Sequence, residues 1–509
     1  MKKFIFIIAT VFMAAVSFAQ GEIDAYRLST TDLQGSARGQ AMGGAFGALG
    51  GDLTGVAINP AGIGVYRSSE VVANIGGSYY QTDTEWNNEK NSGNGTNLNF
   101  QNIGYIGYYS LGGNSALNFG FNFNRLKSFD NKYRISRDMD MSQSLTDYIA
   151  YRTNGTSPNI WNITDESIYN EAVPWLGVLA WDGGLINNSQ GSNYQSILTS
   201  GETVRPDLYV NEKGHISAYD FTVGQNVSNT FYWGVTVSIT EIDYSMYSDY
   251  TEDFFGGGGF RLENDLITKG SGFQLKTGII LRPFNALRLG LSFHTPTWYT
   301  LTDYYQATLT PNGIYIDDQL AGKTGTPSNA RTDYDLSTPS TLTLSAALVL
   351  GKSFILSSDL EYKGYQFMSL KDYDGRPYSA DNEYIDEDFG SSLALRLGAE
   401  AKFNPRFAIR LGAAVQNNPY KAEFKDGLRE VMTAGTVPQY GIEDFTAYLT
   451  SGLGFRFTPR FYMDAALICR LNQGTMYAFS PMPSEGLLSE PADYTSVAFR
   501  GLLTLSYRF

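Results

Sequence analysis

Cysteine, histidine and positive charge are scarce in this chain of 509 residues. A single cysteine excludes a disulfide framework and any thiolate metal cluster. The two histidines, His215 and His294, stand far apart in sequence, which argues against a multi-histidine metal site. Charged residues make up only 17% of the chain, and 37 basic residues face 51 acidic ones for a net charge of −14. A nucleic-acid binder needs a basic footprint to neutralise phosphates, so that class is excluded. Long apolar runs are missing too. Beyond residue 19 no stretch has the length and hydropathy of a membrane-spanning helix. What abounds instead is 54 Gly, 35 Tyr and 31 Phe.

The amino terminus reads as an export signal. Lys2 and Lys3 precede an apolar core from Phe4 to Val16, and Ser17-Phe18-Ala19 has the small-x-small form of a cleavage site. Cleavage near Ala19 leaves a mature chain that begins at Gln20, with no cysteine there to carry a lipid.

Beyond that point the apolar residues repeat with period two. From Val497 to Phe509 the odd positions are Val, Phe, Gly, Leu, Leu, Tyr and Phe, while Arg500, Thr504, Ser506 and Arg508 fall between them. Successive strand side chains point to opposite faces, so one face is oily and the other polar. The same split recurs at 287–294, 393–400, 407–416 and 449–457.

A soluble sandwich also alternates; the connections separate the two. The pattern predicts fourteen strands, at 69–81, 98–110, 115–129, 216–227, 230–248, 260–281, 286–308, 330–350, 353–364, 391–403, 406–417, 444–458, 460–473 and 493–509. Every second connection is a tight turn, as at Ser228-Asn229 and Asn404-Pro405. The others are long: 82–97, 130–215, 249–259, 309–329, 365–390, 418–443 and 474–492. An even strand number with short turns at one end and long loops at the other is the outer-membrane pattern. Hydrocarbon leaves backbone polar groups unsatisfied, so a β protein in lipid must close on itself. The expected fold is an all-β, 14-stranded antiparallel transmembrane barrel over 69–509, placed in the outer membrane of a Gram-negative cell.

The inward positions are charged: Arg288, Asp359, Glu361, Arg396, Glu400, Arg410, Arg456, Asp464, Arg470 and Arg500. They line a water-filled pore or hold a plug by hydrogen bonds. The segment 20–68 supplies the plug candidate. It is rich in glycine and does not alternate. It carries Ala41-Met42-Gly43-Gly44-Ala45, then Gly51-Asp52, then Asn59-Pro60-Ala61-Gly62.

This run resembles the amino-terminal hatch of the FadL/TodX family of outer-membrane transporters for hydrophobic compounds. Gly43, Gly44, Asn59, Pro60, Ala61 and Gly62 fall on its motif, and Asp52 keeps one of the family's two acidic residues. The resemblance implies a hatch that closes the lumen and a ligand that leaves sideways through a break in the wall. It places that break in the third strand, where the inward Asn118, Gly120 and Asn122 are the candidates; the other reading is an ordinary strand hydrogen-bonded to the hatch. The same glycine and proline residues also serve simply to shape a plug.

The long loop 130–215 holds two helical patterns, Met139 to Tyr151 and Ile168 to Trp181, the second interrupted at Pro174. Trp161, Trp175, Leu176, Leu179 and Trp181 are the candidate capture site for an oily ligand, or else a satellite core beneath the loop. The acidic residues of 372–388 fit no standard calcium loop. No cofactor, metal or catalytic group is indicated, so the chain is not read as an enzyme. The expected partners are a hydrophobic small molecule (fatty-acid-like, aromatic or haem-like), outer-membrane lipid, and the barrel-assembly machinery through the terminal Phe509. The chain is expected to act as a monomer. The alternative function is a docking or shuttle component of a secretion machine built on a FadL-like barrel.

Overall fold

The computed structural model describes residues 21–509 apart from 352, 428, 432 and 484–488. The signal segment, including the cleavage site at Ala19, lies outside the described residues. The wall has fourteen antiparallel strands. They are β1 (Glu70–Trp86), β2 (Glu89–Gly112), β3 (Ser115–Ser128, continued by Asn131–Ser136), β4 (Val204–Val227), β5 (Phe231–Phe254), β6 (Gly259–Leu281), β7 (Leu287–His294, then Trp298–Asn312), β8 (Arg331–Ser337, then Thr341–Leu350), β9 (Phe354–Gly364, then Ser369–Asp372), β10 (Ser391–Asn404), β11 (Phe407–Asn417), β12 (Tyr440–Arg456), β13 (Phe461–Tyr477) and β14 (Ala492–Arg508). Each pairs with its neighbour, and β1 pairs with β14 from Glu70↔Arg508 to Glu85↔Asp493, so the sheet has no first or last strand.

The outer face follows from the alternation. Val235, Val237 and Ile239 on β5, Leu393, Leu395 and Leu397 on β10, and Phe499, Leu505 and Tyr507 on β14 are all exposed. In water such a surface would aggregate; in a bilayer it is the lipid contact. Near the short turns the band ends in aromatic contacts. Phe403 meets Phe407 at 6.3 Å, Phe455 meets Phe457 at 4.9 Å, and Phe457 stacks on Phe461 at 5.3 Å. The aromatic terminus joins this girdle: the Phe509 N–H donates to Ser69 O at 3.1 Å and its ring stacks on Tyr105.

Three long connections are different from expectation; one is 130–215, where β3 continues over Asn131–Ser136 and β4 begins at Val204. Residues 82–97 are not a loop. β1 and β2 run on to a tight turn at Asn87 and Asn88, both with positive φ. Likewise β5 and β6 continue to 254 and 259, across a turn rich in glycine. These upper strand halves rise past the apolar band, so their outward residues meet no lipid and lose the oily alternation. Their inward residues pack with the loop helices α4 (Leu145–Thr153), α5 (Trp175–Asp182) and α6 (Ser379–Asp388) around one apolar core that includes Leu145, Ile149, Leu179, Tyr250, Leu262, Leu309 and Phe389. Pro174 is the N-cap of α5, so the helix expected from 168 starts only after it.

Inside the lumen lies the hatch. It contains α1 (Glu22–Ser29), α2 (Ala37–Ala41), α3 (Leu53–Ile58) and a 3-10 segment at Pro60–Val65. Met42, Phe46, Ala48 and Leu49 pack on Ala347 and Ile355 of the wall, while Leu53, Val56 and Ile63 pack on Val72 and Ile106.

Candidate functional site

The hatch is held by a ring of polar contacts, and the inward charges of the strands make most of them. Asp359 on β9 accepts the N–H groups of Phe46 and Gly47, each at 3.0 Å. Glu400 on β10 pairs with Arg38 of α2 at 2.9 Å. Asp32 sits between Arg470 and Arg500, at 3.1 and 3.3 Å. Arg288 donates to Leu49 O, and the His294 ring lies 3.0 Å from Ile58 O. Barrel charges that would be costly in a dry lumen are therefore paired with the plug. The charged interior belongs to a filled lumen rather than an open pore.

The motif residues act at this contact. Gly43 has φ +64, and a Cβ there would stand 2.7 to 2.9 Å from backbone atoms of Ala413 and Leu397. Only glycine lets the hatch backbone lie this close to β10 and β11. Gly44 follows in the same left-handed region. The Asn59 side chain does three things: its Nδ2 donates to Gly47 O at 2.8 Å and to Ile279 O at 3.1 Å, and its Oδ1 accepts from Ala61 N at 3.1 Å. It thus caps the 3-10 segment that Pro60 opens and ties it to β6. Gly62 O accepts from Gly51 N at 3.0 Å, closing the hatch on itself.

Asn118, Gly120 and Asn122 do not form an opening. The ladders from β3 to β2 and to β4 run unbroken past all three. Asn118 donates to Ile63 O at 2.6 Å, and Asn122 joins an asparagine cluster with Asn102 and Asn124. A Cβ on Gly120 would meet Ile106 at 2.6 Å and Ile63 at 3.1 Å, so this glycine makes room for the hatch. Of the two sequence readings of this strand, a break in the wall or an ordinary strand hydrogen-bonded to the hatch, these contacts fit the second.

The same strand does lose its ladder, but higher up. Pairing between β2 and β3 stops at Asn102↔Asn124. Above that level β2 pairs only with β1, and the continuation of β3 pairs only with β4, after a register shift between Arg125 and Lys127. Side chains bridge this seam: Asn97 donates to Asp130, and Asn91 donates to Ser136 Oγ at 3.0 Å. On the outer surface Phe100 stacks with Phe123 at 6.0 Å, and Leu98 is 84% exposed. The seam therefore begins within the apolar band. Lys127, Ser128, Phe129, Asp130 and Asn131 also line a luminal cavity of about 160 Å³. Helix α1 forms part of its wall, with Tyr26 packed on Tyr365, Phe389 and Tyr420. A second cavity of about 100 Å³ lies between the hatch and β6 to β10, lined by Leu33, Ile58, Lys276, His294, Pro339 and Arg396 among others.

The loop aromatics come together, though not as a groove. Trp161 stacks on Trp181 at 4.6 Å and donates to the Tyr194 hydroxyl at 2.9 Å. Trp175 donates to Tyr169 O and packs edge-on against Tyr169 at 4.9 Å. Leu176 and Leu179 are buried in the loop core, and none of the five lines either luminal cavity. Above the apolar band, Glu252 near the end of β5 is fully buried and, among the described residues, has no cation within salt-bridge distance. It accepts from Leu145 N at 3.1 Å, from the Tyr250 hydroxyl at 2.7 Å and from Ser144 Oγ. Burial lifts its carboxyl to about 7, and these donors oppose the shift only in part.

No family model matches the chain, and no curated protein matches it in sequence. Solved structures do match in fold. A FadL homologue of Pseudomonas aeruginosa superposes with a TM-score of 0.53, covering 94% of this chain and 100% of its own at 10% identity. The toluene transporter TodX of Pseudomonas putida gives 0.50, covering 94% and 99% at 11% identity. The chain has the fold of these channels: a hatch-filled, fourteen-stranded barrel.

Proposed function

We propose that this protein is an outer-membrane channel for the uptake of hydrophobic compounds, with lateral release past the hatch. The observation that carries the reading is the seam between β2 and β3 beside the luminal cavity of about 160 Å³. The hatch blocks the axis through the Asp359, Glu400 and Asp32 contacts, so a ligand in the cavity has its shortest exit sideways. At the seam no backbone ladder has to break. The Asn97–Asp130 and Asn91–Ser136 contacts part, together with the Thr82–Asn131 and Thr84–Arg134 contacts from β1, and Phe100, Phe123 and Leu98 offer an apolar way into the bilayer.

Size narrows the cargo. A cavity of roughly 150 Å³ accepts benzene, and this one is about 160 Å³. Its tyrosines, Tyr26, Tyr133, Tyr420, Tyr440 and Tyr494, suit a single aromatic ring better than a haem. The similar fold of a toluene transporter supports the same class. The half-buried indoles Trp161, Trp175 and Trp181 are the first apolar surface such a compound meets, and Phe509 is the residue read by the assembly machinery. The chain works as a single copy, without covalent chemistry or cofactor.

Uptake of a panel of labelled compounds by outer-membrane-bearing cells with and without this chain tests the reading. Faster entry of one-ring hydrocarbons with the chain present supports it. Equal entry for every compound, with exported proteins held back when the chain is deleted, replaces it with the secretion role.

A further inference from the structure

The turns at the short-turn end of the barrel carry charge of one sign. Arg67, Arg282, Arg406, Arg456, Arg460 and Arg508 lie in or beside its turns, and no Asp or Glu occurs at 66–69, 111–115, 227–231, 281–287, 350–354, 403–407, 456–461 or 507–509. This runs against the net charge of −14 for the whole chain.

A cavity of about 330 Å³ opens at this end, under the hatch. Six cations line it, Arg38, Lys402, Arg406, Arg410, Arg456 and Arg508, against two carboxylates, Glu400 and Asp464. Both carboxylates are buried and already committed. Glu400 holds Arg410 at 2.7 Å, Arg38 at 2.9 Å and Lys402 at 3.4 Å, and Asp464 holds Arg410 at 2.7 Å. Arg508 is taken by Glu70, at 2.6 Å. Arg406 and Arg456 are exposed, and among the described residues neither has a carboxylate within salt-bridge distance. Yet they are held side by side, because Arg456 N donates to Arg406 O at 2.9 Å across the β11–β12 pair. They share the inward parity of Arg410 and Gly454 on the same strands. Two arginines on facing backbone positions, one with its guanidinium 6.0 Å from the Tyr462 ring, concentrate positive charge that an anion offsets, and their planar forks match the oxygens of phosphate and carboxylate.

We propose that this cup binds a soluble multivalent oxyanion, a small molecule bearing phosphate or carboxylate groups, from the compartment that the turns face. Arg406 and Arg456 grip it directly, with Lys402 and Arg508 at its edges. The inward parity of both arginines aims the cup at the lumen axis rather than at bilayer headgroups. The occupant also offsets the surplus positive charge around Glu400, which holds Arg38 of the hatch.

The probe is inorganic pyrophosphate, titrated calorimetrically at low salt into the full-length protein in detergent. Saturable one-site binding is expected. The double variant Arg406→Ser/Arg456→Ser should bind about tenfold more weakly or worse, through loss of the charge-assisted forks. The control Arg67→Ser/Arg282→Ser alters the same end outside the cup and should bind as the parent does. Retained heat-modifiable mobility on gels shows that each variant is folded. Equal loss in both double variants means a diffuse surface field and overturns the proposal, as does unchanged binding in Arg406→Ser/Arg456→Ser. Repeating the titration in phosphatidylcholine nanodiscs with and without phosphatidylglycerol separates the sources. Unchanged pyrophosphate binding supports a soluble occupant; competition by phosphatidylglycerol assigns the cup to lipid and overturns it.

Discussion

Arg38 of the hatch and Glu400 of the wall meet at 2.9 Å, far apart in sequence, and Glu400 is fully buried. Arg410 shares the same carboxylate at 2.7 Å. One wall residue thus neutralises a cation of the plug and a cation of the next strand.

Glu400→Gln should loosen the plug without unmaking the barrel. Breaking a buried ion pair by removing one partner costs about 3 to 5 kcal/mol. The strands on either side keep their ladders. Single-channel recordings in planar bilayers should show open events that the parent lacks. A silent Glu400→Gln channel would mean that the pair does not retain the hatch.

Asn59→Ala should weaken the hatch by a smaller amount. The variant loses a helix cap and two buried donor contacts, for which about 1 to 2 kcal/mol is expected. The readout is the urea concentration at which trypsin first cuts after Arg38, a bond protected while the hatch is seated. A lower midpoint is expected for Asn59→Ala, and an unchanged one contradicts the role given to this side chain.

The loop domain should weaken as pH rises from about 4.5 to about 7. Burial raises the Glu252 carboxyl from 4.5 to about 7. The unfolded chain releases this proton first, so across that window the native state holds more protons and stability falls with pH. Above the window both states are ionised and the dependence is flat. Hydrogen exchange of the amides in α4, corrected for the chemical rate, should show greater protection at pH 4.5 than at pH 8, and Glu252→Gln should remove the difference. Equal protection in the parent at both values would contradict this.

How much of this was legible in sequence follows from what each residue faces. Leu393, Leu395 and Leu397 face lipid, so their strand was visible in the alternation alone. Glu89 to Phe100 face water on one side and the polar continuation of β3 on the other, so this half of β2 reads as a loop. Inward charges such as Asp359 and Arg396 were legible as inward, because charge cannot face hydrocarbon. Their partners were not, since Phe46 and Gly47 bind Asp359 through backbone N–H groups that any residue supplies. Gly120 left two readings open for a related reason: small size signals a close neighbour or a break in pairing and does not say which. The seam beyond Asn124 left no mark in composition, because it consists of missing pairing where β3 shifts register between Arg125 and Lys127.

The most direct test is to lock the seam. In a Cys469→Ser background, Asn97→Cys/Asp130→Cys places thiols on the two residues that bridge it. Uptake of radiolabelled toluene is then measured in cells before and after oxidation, and again after reduction. The account predicts loss of uptake on oxidation and full recovery with reductant. Undiminished uptake through the locked channel would contradict lateral passage between β2 and β3.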